Sequence, residues 1–289
     1  MKTQITQFDL TGDSDPYGIA VADDGAVWVT MVHSGAVVRL TPDGTHTRYQ
    51  VGPRSQPSAM TAGRGGSAWF TRTKDDRVTS VAPDGSMTTV GLDSGSGPFG
   101  VCVGPDGAVW VAESTADRVA RIASDGTSTS FPLPEQSFPS FITAGPDAAV
   151  WVTLNRTDAV ARVTADGAVA VHQLATPAAA PVGITCGDGA LWCTEIGAGQ
   201  IGRIDPGGSV TEFALPDAAA RPHAIAAGTN GCWFTEWAAN RVGHIGWSGA
   251  IDEIELPAST SEPHGIAVGP DGAAWVAMES GAVVRISPG

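Results

Sequence analysis

The sequence of 289 residues has few charged side chains and lacks long apolar stretches. No apolar run approaches the roughly 20 residues that cross a bilayer, and Met1-Lys2-Thr3-Gln4 lacks the apolar core of a signal peptide. Lys and Arg number 16 against 30 Asp and Glu, which gives a net charge of −14. Because nucleic acids and anionic membranes bind basic surfaces, this balance argues against both as partners. We expect a cytoplasmic protein.

Cysteine is also scarce, and the few cysteines do not form a metal-binding pattern. The sequence contains four, none in a Cys-x-x-Cys spacing and all within apolar, strand-like runs: Cys102, Cys186, Cys193 and Cys232. A zinc site is not expected, since no cluster of Cys and His has ligand spacing. We expect buried free thiols, because disulfides are rare in a reducing cytosol.

Glycine and proline are abundant, at 37 and 20 residues, and they accompany a regular repeat. Seven tryptophans follow one another at intervals of 41 residues, with one interval of 42: Trp28, Trp69, Trp110, Trp151, Trp192, Trp233 and Trp275. Seven prolines keep nearly the same step: Pro16, Pro57, Pro98, Pro139, Pro181, Pro222 and Pro263. The spacing predicts a single domain, residues 1–289, built from seven copies of one unit.

Each copy contains four short β-type runs separated by Gly, Asp or Asn turns, without a helical period. A four-stranded repeat of about 40 to 45 residues is typical of a β-propeller blade. The sequence therefore predicts an all-β fold, a seven-bladed β-propeller of four-stranded blades. The seventh copy ends without a fourth run, whereas residues 5–10 resemble the fourth run of another copy, residues 210–215. We predict that residues 5–10 complete the last blade.

The residue after each repeated proline lies where the innermost strand meets one rim of the ring, and it differs between copies: Tyr17, Ser58, Phe99, Ser140, Val182, His223 and His264. Loops from several blades converge at such a rim, which is the usual ligand site. Any one of these residues is explained as an ordinary rim residue. Histidines in two consecutive copies favour a binding or catalytic site.

Acidic residues can be sorted by whether they recur. Glu113, Glu195 and Glu236 each stand three residues after the blade tryptophan, which favours a structural role such as pairing with Arg118, Arg203 or Arg241. Two glutamates break the pattern: Glu279 stands four residues after Trp275, and Glu262 precedes Pro263. Together with His223 and His264 they form a set of two carboxylates and two imidazoles. Such a set suits a hard divalent cation such as Mg²⁺.

At these residues the sequence resembles the streptogramin B lyases, and the resemblance extends over the whole chain. It is most specific in residues 220–225, 234–237, 262–266 and 275–279, and it includes residues 16–19 and 139–142. The resemblance implies a seven-bladed propeller that linearises cyclic depsipeptide antibiotics. It further implies elimination across the ester bond at threonine rather than hydrolysis, a requirement for Mg²⁺, and a role in antibiotic resistance.

The resemblance also implies roles for individual residues. His264 corresponds to the catalytic base, Glu262 and Glu279 to the metal ligands, and His223 to a residue that contacts the substrate. The predicted substrate-binding set is completed by aromatic residues: Tyr17, Phe99, Phe141 and Trp237. Copies two and four depart from the pattern, and Arg54 and Arg72 on the second copy's rim are expected to affect the substrate range.

Two other functional classes remain open from the residues alone. One is a metal-dependent lactonase, in which water would hydrolyse the ester; ligands concentrated in the last two copies count against it. The other is a propeller that only binds partners, since a fold does not determine a function. The closed ring favours a monomer.

Overall fold

The repeated runs pair into seven four-stranded antiparallel sheets, arranged as the blades of a propeller. The structure is a computed structural model, and it describes residues 3–10 and 15–287. Blades are numbered in chain order, so that blade one begins at Pro16 and blade seven at Pro263. Innermost strands of adjacent blades lie side by side around a central channel, and the first lies beside the seventh. The predicted seven-bladed all-β fold is confirmed.

The strands within each blade run from the channel outwards. The innermost strands are β2 (Pro16–Val21), β6 (Pro57–Ala62), β10 (Pro98–Val103), β14 (Pro139–Ala144), β18 (Pro181–Gly187), β22 (Pro222–Ala227) and β26 (Pro263–Val268). The second strands are β3 (Val27–Met31), β7 (Ala68–Arg72), β11 (Val109–Glu113), β15 (Val150–Leu154), β19 (Ala190–Glu195), β23 (Gly231–Glu236) and β27 (Ala274–Met278).

The third strands are β4 (Ala36–Leu40), β8 (Arg77–Val81), β12 (Arg118–Ile122), β16 (Ala159–Val163), β20 (Gln200–Ile204), β24 (Arg241–Gly246) and β28 (Ala282–Ser287). The outermost strands are β5 (His46–Gln50), β9 (Met87–Gly91), β13 (Ser128–Pro132), β17 (Val169–Gln173), β21 (Val210–Ala214), β25 (Ile251–Glu255) and β1 (Gln4–Asp9). A 3₁₀ turn, Asn155–Thr157, is the one helical element in the described part of the chain, and no helix there could cross a membrane.

The N-terminal strand completes the last blade, as predicted. Strand β1 pairs antiparallel with β28 from Gln4 opposite Ser287 to Asp9 opposite Ala282. Phe8 of this strand stacks on Trp275, with ring centroids 5.6 Å apart. The two ends of the chain are therefore joined in one sheet.

The repeated tryptophans belong to apolar cores between adjacent blades. In five blades the tryptophan ring packs against a ring of the outermost strand, with centroids 5.1 to 5.9 Å apart; the partners are Tyr49, Phe131, His172, Phe213 and Phe8. Blades two and six have Val90 and Ile254 near the ring instead, and Trp69 and Trp233 are partly exposed. The tryptophan thus fixes blade packing, as its recurrence predicts.

A β-bulge marks the start of every innermost strand. In each blade the pairing with the second strand shifts between the proline and the residue three positions later, as between Pro263 and Ile266. Bulges redirect side chains and commonly lie beside functional sites. Here they present the variable residues at one face of the ring, which we call the upper face. The turns between second and third strands lie on the same face.

Candidate active site

Five rings from five blades meet at the upper end of the central channel. They belong to Tyr17, Phe99, Phe141, His223 and His264, and each ring contacts the next to form a closed circuit. Centroid distances around this aromatic circuit range from 4.6 to 6.1 Å. Trp237 lies beside it, 6.4 Å from the ring of His264. The structure therefore brings the predicted substrate-binding residues together around His264.

The channel beneath the circuit is narrow. Its cavity measures about 170 Å³ and is lined mainly by innermost-strand residues such as Ile19, Cys102, Ile184 and Ile266. Drug-sized ligands occupy sites of roughly 300 to 1,000 Å³. A large ligand must therefore lie on the upper face, above the rings, rather than within the channel.

His264 is the most enclosed polar group of the circuit, at 9% exposure. Its Nε2 lies 2.5 Å from Oε2 of Glu279, whereas its Nδ1 is buried without a hydrogen-bond partner among the described residues. Tyr17 covers one side of the imidazole, with centroids 4.6 Å apart. Nε2 is thus the nitrogen directed towards Glu279.

His223 has a different electrostatic environment. The pKa of His223 is lowered to about 3, mainly because the ring is buried and to a lesser extent because His264 lies beside it. Its imidazole is therefore neutral near pH 7. Its Nε2 lies 3.5 Å from the hydroxyl of Tyr17. Burial, together with the negative charge of Glu279, raises the pKa of Tyr17, and the phenol stays protonated. Tyr17 can therefore donate a hydrogen bond to His223, which leaves His223 as a neutral polar contact.

Glu262 and Glu279 lie on adjoining backbone segments of blade seven. The backbone N–H of Glu279 donates to the carbonyl of Glu262 at 3.1 Å, which holds the two residues side by side. Glu262 is exposed and the side chain of Glu279 is 26% exposed. As the sequence predicts, Met278 occupies the buried strand position opposite Pro263, so Glu279 lies just beyond strand β27, in the turn.

The donor chemistry of these two carboxylates fits a magnesium ion. Mg²⁺ prefers oxygen ligands and commonly keeps several waters, so one or two carboxylates suffice. The described residues contain no group of three His, Cys, Asp or Glu side chains gathered as a metal site. If Mg²⁺ binds here, Glu262 and Glu279 would hold it, and water or ligand oxygens would supply the remaining positions.

His33 is a site residue that the sequence reasoning missed. Its Nε2 lies 3.3 Å from Oε1 of Glu279, so the carboxylate is contacted by imidazoles from blades seven and one. Asp15 orients the turn by accepting the backbone N–H of His33 at 2.6 Å. Its position in the repeat could have indicated it, because His33 occupies the turn of blade one that corresponds to the turn carrying Glu279 in blade seven.

The recurring glutamates have the structural role that their recurrence suggests, with one correction. Glu113 and Glu236 are buried and pair with Arg118 and Arg241 respectively. The predicted pairing of Glu195 with Arg203 is wrong, because Arg203 pairs with Asp205. Both carboxyl oxygens of Glu195 are buried without partners among the described residues, and burial, followed by the charge of Glu212, raises its pKa to about 8.

The cysteines and the two arginines of blade two complete the comparison with the sequence expectations. The four cysteines are free, but Cys186 is only half-buried rather than fully buried. The guanidinium of Arg72 is held by Asp75, and Arg54 is exposed. Of these two arginines, Arg54 is the one whose side chain is open to a ligand.

Comparisons with known proteins agree with this fold and indicate a family. Residues 3–286 match the family described as the virginiamycin B lyase family. A curated virginiamycin B lyase of Mycolicibacterium vanbaalenii is 60% identical over 54 residues, a segment that spans 19% of this chain and 19% of that protein. The match to this curated relative is thus local.

Two solved structures match over nearly the full length. One, described as a streptogramin B lyase structure, is 37% identical with a TM-score of 0.95 and covers 99% of this chain and 97% of its own. The other is a catalytically inactive virginiamycin B lyase from Staphylococcus aureus, with a histidine replaced by alanine, crystallised with quinupristin. It is 35% identical with a TM-score of 0.94 and covers 99% of this chain and 100% of its own.

Proposed function

Because the chain belongs to the virginiamycin B lyase family, we propose that it linearises cyclic type B streptogramin depsipeptides by a Mg²⁺-dependent elimination. The observation that carries the proposal is the convergence of His264, Glu279 and Glu262 beside the aromatic circuit. A histidine-to-alanine variant of the similar Staphylococcus aureus protein is described as catalytically inactive and was crystallised with quinupristin. This likeness supports a catalytic histidine and a ligand of this class for this chain.

In the proposed reaction His264 is the general base. Its Nε2 removes the α-hydrogen of the threonine residue whose side chain forms the ring ester. The electron pair of the C–H bond forms a double bond between the α- and β-carbons, and the bond from the β-carbon to the ester oxygen breaks. The carboxylate leaves with that electron pair, and the ring opens without addition of water. Histidine suits this step because its ordinary pKa lies near neutrality.

The other site residues support the base and the ligand. Glu279, 2.5 Å from Nε2 of His264, favours the imidazolium that proton removal generates. A Mg²⁺ held by Glu262 and Glu279 would act as a Lewis acid on the carbonyl beside the carbon that loses its proton. His223, Tyr17, Phe99, Phe141 and Trp237 offer a largely apolar surface on which a depsipeptide ring can lie. A carboxylate leaves readily, so no strong general acid is needed.

Mass spectrometry separates this reaction from the alternatives. The protein is incubated with quinupristin and Mg²⁺, with a matched sample containing EDTA. Elimination yields a linear product of unchanged mass with a new double bond, whereas a lactonase product is heavier by one water. A protein that only binds would leave the cyclic compound intact. Magnesium-dependent opening without a mass change is expected; a gain of one water, or no turnover, would contradict the proposal.

The residue assignments have a separate test. His264→Ala is expected to remove turnover while the thermal unfolding midpoint stays near that of the wild type, because the residue lies at the rim. We also propose that the protein is a cytoplasmic monomer and that ring opening confers resistance to these antibiotics. Light scattering after size exclusion measures the oligomeric state, and cell fractionation measures the location. Expression in a susceptible bacterium measures resistance.

A further inference from the structure

The bulge that carries His264 depends on a hydroxyl group from the neighbouring blade. Because the pairing of β26 with β27 shifts between Pro263 and Ile266, His264 has no residue directly opposite it in its own sheet. Its carbonyl instead accepts a hydrogen bond from Oγ1 of Thr235 in blade six, at 2.9 Å. Thr235 is fully buried.

The same hydroxyl also contacts the other histidine-bearing bulge. Oγ1 of Thr235 accepts the backbone N–H of Ala224, the residue after His223, at 3.0 Å. One buried oxygen thus connects the backbone beside His223 to the backbone of His264. The two imidazoles lie 5.3 Å apart, centroid to centroid, and this connection fixes the spacing of their supporting strands.

The same hydrogen bond occurs in other blades, so it belongs to the scaffold. Blade seven lacks the threonine that would support the bulge of His264 from its own second strand. Threonines at the matching position donate to the next blade's bulge carbonyl at 2.7 Å: Thr30, Thr71, Thr153 and Thr194. Blade seven has Ala277 at this position, so its own second strand offers no hydroxyl to the bulge of His264. His223 is held from two sides, by Thr194 and Thr235, but His264 receives this support from Thr235.

We infer that Thr235 is a positioning residue for His264, an inference that rests on the proposed role of His264 as base. Removing the hydroxyl leaves the carbonyl of His264 without this partner, so the backbone that holds the imidazole beside Glu279 can shift. General-base catalysis is sensitive to such displacement, since a shift of about 1 Å can lower a rate 100-fold. Substrate contacts made by the other rings should be affected less.

Thr153 provides a matched control. Its hydroxyl is buried, accepts the N–H of Phe141 at 3.1 Å and donates to the carbonyl of Val182 at 2.7 Å. Thr153→Val therefore removes the same pair of bonds at a bulge that does not carry the base. Any loss shared by Thr235→Val and Thr153→Val reports the structural cost of the missing hydroxyl.

The experiment compares both valine variants with wild type and with Thr235→Ser, which keeps the hydroxyl. We expect Thr235→Val to lower kcat at least tenfold with KM within about threefold, and Thr235→Ser to restore kcat. Thr153→Val should lower the thermal midpoint similarly but keep kcat within about threefold. Equal kcat losses in the two valine variants, or wild-type kcat in Thr235→Val, would overturn the inference.

A measurement without substrate separates this inference from the proposed function. The imidazole Cε1–H resonance of His264 is assigned by its absence from the spectrum of His264→Gln. It should shift or broaden in Thr235→Val and remain in place in Thr153→Val and Thr235→Ser. An unchanged resonance in Thr235→Val would overturn the positioning role, whereas absence of turnover in the wild type would overturn the proposed function.

Discussion

Replacing Glu195 with glutamine should stabilise the protein at alkaline pH. Glu195 is fully buried in blade five, and neither carboxyl oxygen has a partner among the described residues. In blades three and six the residue directly opposite the matching glutamate is an arginine, Arg118 or Arg241. In blade five the residue opposite Glu195 is Gln200. The side-chain oxygen of Gln200 is likewise buried and unpartnered. A glutamine at position 195 can donate to that oxygen, whereas an ionised carboxylate cannot.

The sign and size of the effect follow from the raised pKa of Glu195, about 8 against an ordinary value of 4.5. Between these values the folded chain retains a proton that the unfolded chain releases, so the stability of the wild type falls as pH rises through this window. Each pH unit corresponds to about 1.4 kcal/mol. The cost at pH 8 is therefore on the order of 4 kcal/mol, and it is close to zero at pH 4.5 and below.

Urea unfolding followed by tryptophan fluorescence, from pH 4.5 to 9, measures the difference between Glu195→Gln and wild type. The stability difference should be small at pH 4.5 and grow towards pH 8, with other titrating groups cancelling between the two proteins. Gln200→Arg, which installs the partner found in blades three and six, should also flatten the pH dependence. A stability difference that does not change with pH would refute the reasoning, because it would mean that Glu195 ionises normally.

Four further predictions concern closure and the site. Deletion of residues 1–10 removes strand β1 and exposes the edge of β28, so the thermal midpoint should fall by well over 10 °C; an unchanged midpoint would contradict closure. NMR should show the His223 imidazole neutral throughout pH 5–9, and a titration within that range would contradict its lowered pKa. Glu279→Gln should raise the Mg²⁺ concentration for half-maximal turnover at least tenfold. A Mg²⁺ response equal to that of the wild type would contradict the role of Glu279 as a ligand. Glu262→Gly should do the same with stability within about 1 kcal/mol of wild type, whereas Gln56→Gly, at the same position in blade two, should leave the Mg²⁺ response unchanged.

The fold could be predicted from the sequence because each blade repeats the same local pattern seven times. Regular tryptophan and proline spacing gives the number of blades, and the missing fourth run of the last copy requires a strand from elsewhere. The unusual position of Glu279, four residues after the blade tryptophan instead of three, was also visible in the sequence. These features depend on local order along the chain, which a repeat makes easy to read.

The contacts between blades could not be predicted in the same way. His33 meets Glu279 only because blade one closes against blade seven, a contact between residues 246 positions apart. Arg203 was expected to reach Glu195, but Gln200 is the residue directly across the strand pair. Such details depend on bulge geometry and side-chain packing, which the sequence pattern does not specify.

The backbone conformation before the bulge shows how a repeated scaffold can supply a site. Glu262 has a positive φ of 57°, which normally indicates strain for a residue with a side chain. Five other blades have the same conformation at the matching residue: Gln56, Gly97, Phe138, Ala180 and Arg221, with φ between 47° and 54°. The strain at Glu262 is therefore a property of the propeller rather than of metal binding. Placing a carboxylate there required only a change of side chain on a backbone that the fold already imposes, and the same holds for the histidines on the bulges that follow.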